Sequence, residues 1–161
     1  MRRLRLWWPA LAWAAVIFCF SSGIFTSDNT AKVIIPVLHW ALPSLAHETL
    51  LLLHALIRKT GHFVEYFVLS LLILRGLRAG RKEAHLSWAL LAVLLVAGYA
   101  ALDEFHQSFV PGRTAALADV LLDTTGGVAA QLLAALFFLL GEVRRKRQPM
   151  VADAGGAASQ D

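Results

Sequence analysis

Apolar residues run along this chain in long, nearly uninterrupted blocks, unlike the alternation of a half-buried strand or the single stripe of a surface helix. Four blocks approach the roughly 20 residues that a helix needs to cross a bilayer core; they fall at about 6–22, 61–77, 84–102 and 115–140. The first, "LWWPALAWAAVIFCFSS", follows Arg2, Arg3 and Arg5 and carries Trp7, Trp8 and Trp13 as an interfacial belt would. Pro9 falls in its first turn, where a missing N–H costs little. A secretory signal peptide also fits basic residues before an apolar core, but no A-x-A-like cleavage site follows. Residues 33–57 are apolar too, yet Pro36, Pro43, His39, His47 and Glu48 suit an interfacial or partly re-entrant helix better than a lipid-exposed span. The pattern predicts an all-α integral membrane protein of one domain over 1–147. It is a compact four-transmembrane-helix bundle with the interfacial or re-entrant segment between helices 1 and 2, and a small, polar, disordered tail follows over 148–161.

Charge sets an orientation. Eleven of the fifteen Lys and Arg residues fall before the first span, at 75–82 between the second and third, and at 144–147 after the fourth. With four spans these clusters share one side, which the positive-inside rule makes cytoplasmic; a fifth span over 33–57 would break the pattern. Both termini are therefore expected in the cytoplasm and the chain in the inner (cytoplasmic) membrane. The same placement explains a pI near 9.7 without nucleic acid as a partner. Composition agrees, with 58% hydrophobic and 16% charged residues and a mean hydropathy of +0.61. Cys19 is the sole cysteine, so no intramolecular disulfide forms.

Against this background, ionisable residues gather in three places. "RKTGHFVEY" (58–66) opens the second span, "DEFHQSFVPGR" (103–113) closes the third, and "AALADVLLD" (115–123) opens the fourth. The predicted topology brings all three to the outer face. Arg58, His62 and Glu65 are spaced by four and three, and His62 and Tyr66 by four, so a helix sets them along one face. Asp119 and Asp123 repeat that spacing, and Gly126 and Gly127 let another backbone approach. "PG" at 111–112 reads as a turn that aims Arg113 back toward the cluster. Charge inside a membrane is costly and marks a site by default.

Glu65, His62, Asp103, His106 and Asp119 are the candidate acid–base groups. Arg58, Arg113, Gln107, Tyr66 and Asp123 are the candidate binding groups, with the arginines suited to phosphate. Asp119 also suits the first turn of a helix by its charge alone, and Lys59 reads as an interfacial anchor. His39, His47, His54 and His85 carry no matching constellation. A divalent cation could draw nitrogen and oxygen ligands from His62, Glu65, Asp103, His106, Asp119 and Asp123, but no pair has the specificity of HExxH and no metal ligand is assigned.

"RKTGHFVEYFVL" followed after one helix by "LDEFHQSFVPGRTAALADVLLDTTGG" resembles the VanZ-like membrane proteins, over about Trp8 to Leu140. The resemblance implies a four-helix integral membrane protein and a link to teicoplanin-type glycopeptide resistance. It also implies a distant similarity to enzymes acting on phosphate-linked lipid head groups. The family often has Asn where this chain has Asp123, which adds a negative charge. The partners this implies are membrane lipids and a lipid-linked cell-wall precursor or a glycopeptide. Two functions follow: binding and processing of such a head group at the outer face, or non-catalytic shielding of a precursor or antibiotic, with the charges mainly structural.

Overall fold

The computed structural model describes residues 4–81, 83, 85–110 and 116–147. Among them there are five α-helices and no strand: α1 Leu4–Phe20, α2 Ser27–Ala41, α3 His47–Arg78, α4 Leu86–Gln107 and α5 Leu117–Arg147, with a 3-10 turn at Gly23–Phe25. Three of them, α3, α4 and α5, are long and apolar enough to cross a membrane, whereas α1 is a shorter apolar helix. The expected disordered tail and the Pro111–Arg113 turn lie outside the described residues.

The segment between the first and second spans differs from expectation. It breaks in two: α2 ends at Ala41, and Leu42 leaves helical geometry at φ −133° immediately before Pro43, as the residue before a proline tends to do. The chain then re-enters a helix at His47 and runs through Gly61 without interruption. A glycine in a helix interior costs only about 1 kcal/mol relative to alanine, and thirty-odd residues of packing outweigh that. Residues 47–57 are therefore continuous with 61–77 rather than part of a separate re-entrant element. Likewise α4 continues past Leu102, so "DEFHQ" forms its last turn, and Pro9 lies beyond the first turn because α1 begins at Leu4.

α3 is the axis of the fold and packs against α1, α2, α4 and α5. The core is formed by Ala10 and Ile17 of α1, Tyr66, Leu69 and Ile73 of α3, and Ala92, Val96 and Ala100 of α4. Small residues bring α5 close. A Cβ added at Gly126 would run into the backbone carbonyl oxygen of Phe63, and one at Gly127 would lie 2.8 Å from Val96 Cγ1. Beside this contact Ser70 Oγ donates to the Gly127 carbonyl (3.0 Å), and Gln131 Nε2 donates to Ser70 Oγ (2.7 Å). Buried polar bonds of this kind hold apolar helices together where lipid provides no hydrophobic drive.

Gly126→Ala should therefore lower thermal stability in lipid nanodiscs by about 1–3 kcal/mol, because the colliding atom is backbone and the helices must separate. Gly98→Ala, with nothing within 4 Å of its added Cβ, should leave the unfolding midpoint unchanged or raise it.

Candidate functional site

One face of α3 does what the spacing of its residues predicts. Arg58, His62 and Glu65 line a common pocket of about 210 Å³ with Ser21, Thr30, Gly61 and the apolar Phe20, Phe25, Ile34 and Ile57. α2 forms one wall through Thr30 and Ile34. Arg58 anchors that wall: its Nη1 donates to the Phe25 carbonyl and to Thr30 Oγ1, both at 3.1 Å. Thr30 Oγ1 also lies 3.1 Å from Nε2 of the buried His54. His54 thus has a place in the site's frame, which its sequence neighbours did not reveal. A second, smaller pocket of about 140 Å³ lies on the other side of the same residues, lined by Ser27, Arg58, Lys59, His62 and Asp119.

His62 connects α3 to α5. Its Nδ1 faces Asp123 Oδ1 at 3.6 Å, with Asp123 almost fully buried and the His62 side chain 24% exposed. Because Nδ1 itself is buried, the exposed part of the ring is its other edge, which borders both pockets. At that distance the two buried atoms make an electrostatic contact rather than a hydrogen bond, and the carboxylate lies behind the ring on the side away from the pockets. The Gly126–Phe63 approach sets this pair, since His62 and Asp123 lie one residue and one helical turn from it.

Below the pocket the polar groups are buried. Tyr66 is fully buried in the core, its ring centroid 6.2 Å from that of Tyr99. Asp103 Oδ2 accepts from Ser21 Oγ (2.7 Å) and from Gln107 Nε2 (2.8 Å), and Gln107 Nε2 also donates to Ser21 Oγ (3.1 Å). This triad fastens the end of α1 to α4. Tyr99 adds a second tie, its hydroxyl donating to the Ala14 carbonyl at 2.6 Å, while Trp13 Nε1 donates to the Glu65 carbonyl at 2.8 Å. Glu104 faces elsewhere. Its Oε1 accepts from the Ala116 backbone N–H at 2.6 Å, at the start of α5, where a helix has unsatisfied donors and favours negative charge.

The predicted residues therefore separate. Arg58, His62 and Glu65 share the first pocket; Asp119 meets Arg58 and His62 at the second; Asp123 supports His62 from behind. Asp103, Gln107 and Tyr66 form buried scaffolding beneath. His106 is turned onto α1, its ring centroid 4.6 Å from that of Phe18, and lines neither pocket. Arg113 lies outside the described residues. Among the described residues no three His, Cys, Asp or Glu side chains come together as a metal site. Ser21 went unnoticed in the sequence because small residues after an apolar helix look like a loop; its pairing with Asp103 spans 82 positions.

Asp103→Ala should cost about 2–4 kcal/mol of stability, since it strands two buried donors. His106→Ala should cost about 0.5–1.5 kcal/mol, the worth of one ring contact. Thermal unfolding of both variants in nanodiscs measures the difference.

A model of the VanZ/LLP1 family matches residues 6–138, a range that contains every pocket residue named so far and most of each helix. No curated protein and no solved structure matches the chain. With the match extending over most of its length and across the helical bundle, the chain belongs to the VanZ/LLP1 family.

Proposed function

We propose that the chain is an inner-membrane protein spanning the bilayer four times, through α1, α3, α4 and α5, with both termini cytoplasmic, and that its first pocket binds the phosphate-bearing head group of a lipid-linked cell-envelope intermediate at the outer face. The reading rests on one observation: Arg58, His62 and Glu65 open into a single pocket whose other walls are largely apolar. Such a pocket suits an amphiphile, with apolar wall for a chain and charge for a head group.

Depth supports the placement. A core-crossing length of about 20 residues, counted back along α3 from Arg78, ends near Arg58. α2 would then lie in the interface. Its Val33, Val37 and Trp40 are exposed at helical spacing, the arrangement of an interfacial amphipathic helix. α1, at 17 residues, is about 25 Å long and reaches across the thinner range of bilayer cores.

In the pocket Arg58 grips phosphate oxygens, and Glu65 orients a water molecule toward phosphorus. His62, backed by Asp123, gives its proton to the oxygen that departs as the P–O bond breaks. The water's proton passes to Glu65, and the products are inorganic phosphate with the lipid alcohol from a monophosphate, or with the lipid monophosphate from a diphosphate. A second reading, shielding without catalysis, needs only the Arg58 grip and the apolar walls, both of which the pocket supplies. Family membership connects both readings to glycopeptide resistance, since sequestering or altering a precursor changes what such an antibiotic meets.

The test uses purified protein in nanodiscs with a polyprenyl phosphate and a polyprenyl diphosphate, following bound lipid and released phosphate. Arg58→Gln should weaken binding about tenfold through loss of charge-assisted bonds. His62→Asn and Glu65→Gln should keep binding and lower phosphate release about 100-fold or more. Binding by wild type without release selects the shielding reading, and undiminished binding by Arg58→Gln overturns both.

A further inference from the structure

The opposite end of the bundle holds a third cavity, which head-group binding at Arg58 does not use. It has a volume of about 210 Å³ and lies among α3, α4 and α5, lined by Leu74, Leu86, Ala89, Ala134, Ala135 and Phe138, with Arg78, His85 and Gln131 at polar positions. Its walls are aliphatic and its small residues leave a slot between α4 and α5.

Arg78 stands at this cavity in a prepared state. Its guanidinium lies over the Phe138 ring, 4.0 Å from the centroid, and its Nε donates to the Glu83 carbonyl at 3.2 Å. Stacking and the Nε bond fix the plane of the group. The terminal Nη pair makes no hydrogen bond among the described residues, so the fork that binds phosphate bidentately is held in place and unused. Glu83 does not compete for it through its carboxylate, which pairs with His85 Nε2 at 3.2 Å. Trp88 packs edge-on against His85 and lies 5.7 Å from the Arg81 guanidinium. Arginine beside tryptophan at the end of apolar helices marks the head-group level of a bilayer.

We propose that this cavity is a binding site for an anionic phospholipid, distinct from the Arg58 pocket, with the lipid phosphate on the Arg78 fork and an acyl chain in the slot bordered by Ala89, Ala134 and Ala135. A basic group at the mouth of an apolar cleft between membrane helices is the arrangement that retains acidic lipids. Arg81, exposed just beyond this end of α3, adds to the positive field. A free phosphate ion would use the fork alone and leave the apolar slot empty, so the slot selects the lipid.

Native mass spectrometry of the detergent-solubilised full chain tests this, with dioleoylphosphatidylglycerol and dioleoylphosphatidylcholine as probes. The wild type should retain phosphatidylglycerol at least about tenfold more strongly than phosphatidylcholine, from the charge-assisted bonds. Arg78→Gln should remove that preference, and Ala134→Phe, which fills the slot without changing charge, should weaken retention of phosphatidylglycerol. Arg75→Gln, outside the cavity lining, should behave as wild type, with circular dichroism checking the fold of each variant. Equal retention of the two lipids by the wild type overturns the proposal. So does wild-type retention by both Arg78→Gln and Ala134→Phe, or displacement of the lipid by an equal concentration of inorganic phosphate. The Arg58 pocket is untouched by these substitutions, so polyprenyl phosphate binding by Arg58→Gln and wild type tests that reading separately.

Discussion

The approach of α5 to α3 at Gly126 is the contact on which the rest of the site depends. No side chain fits between Gly126 and the Phe63 carbonyl, so the two helices run closer there than branched residues would permit. That closeness lets Asp123, one turn earlier on α5, reach His62 on α3, and lets Ser70 and Gln131 bond across the same interface a turn later. An ordinary interhelical distance would leave the Asp123 carboxylate buried and far from any histidine. The cost of an isolated buried charge makes that arrangement untenable.

A second constraint works through α4. Asp103 and Glu104 are neighbours on α4 and both are buried, but they face different helices. Asp103 takes Ser21 at the end of α1; Glu104 takes the backbone at the start of α5. One short acidic pair thus sets the relative depth of two other helices. In an apolar medium each bond has no water to compete with it, so a few of them fix a register that apolar packing alone leaves free to slide.

The two ends of the bundle carry different chemistry. At the first, carboxylates, histidine and Arg58 surround paired pockets under α2. At the second, arginines with aromatic partners border an aliphatic slot. This division follows the charge along the chain: the acidic residues of 103–123 and the basic clusters at 75–81 and 144–147 lie at opposite helix ends.

Much of this was legible from the residues in order. The helical class, the long apolar helices and the common face of Arg58, His62 and Glu65 rest on spacing within one helix, and local geometry makes that spacing reliable. Pro43 counted only against a lipid-exposed span, and the break before it emerged with the structure. Gly61 misled, because a glycine looks like a boundary until the packing of a long helix carries the backbone through it. The rest depended on which helix stood opposite and at what depth. Ser21 acquired a role only when α1 ended level with Asp103, His54 only when α2 folded back to set Thr30 against it, and His106 faced Phe18 and not the pocket. Sequence by itself determined the helices, their charged ends and the face of α3 that carries the site. Tertiary structure alone decided the partners of each buried polar group, because a side chain's neighbours across a helix interface depend on register and distance, and no spacing along one chain encodes either.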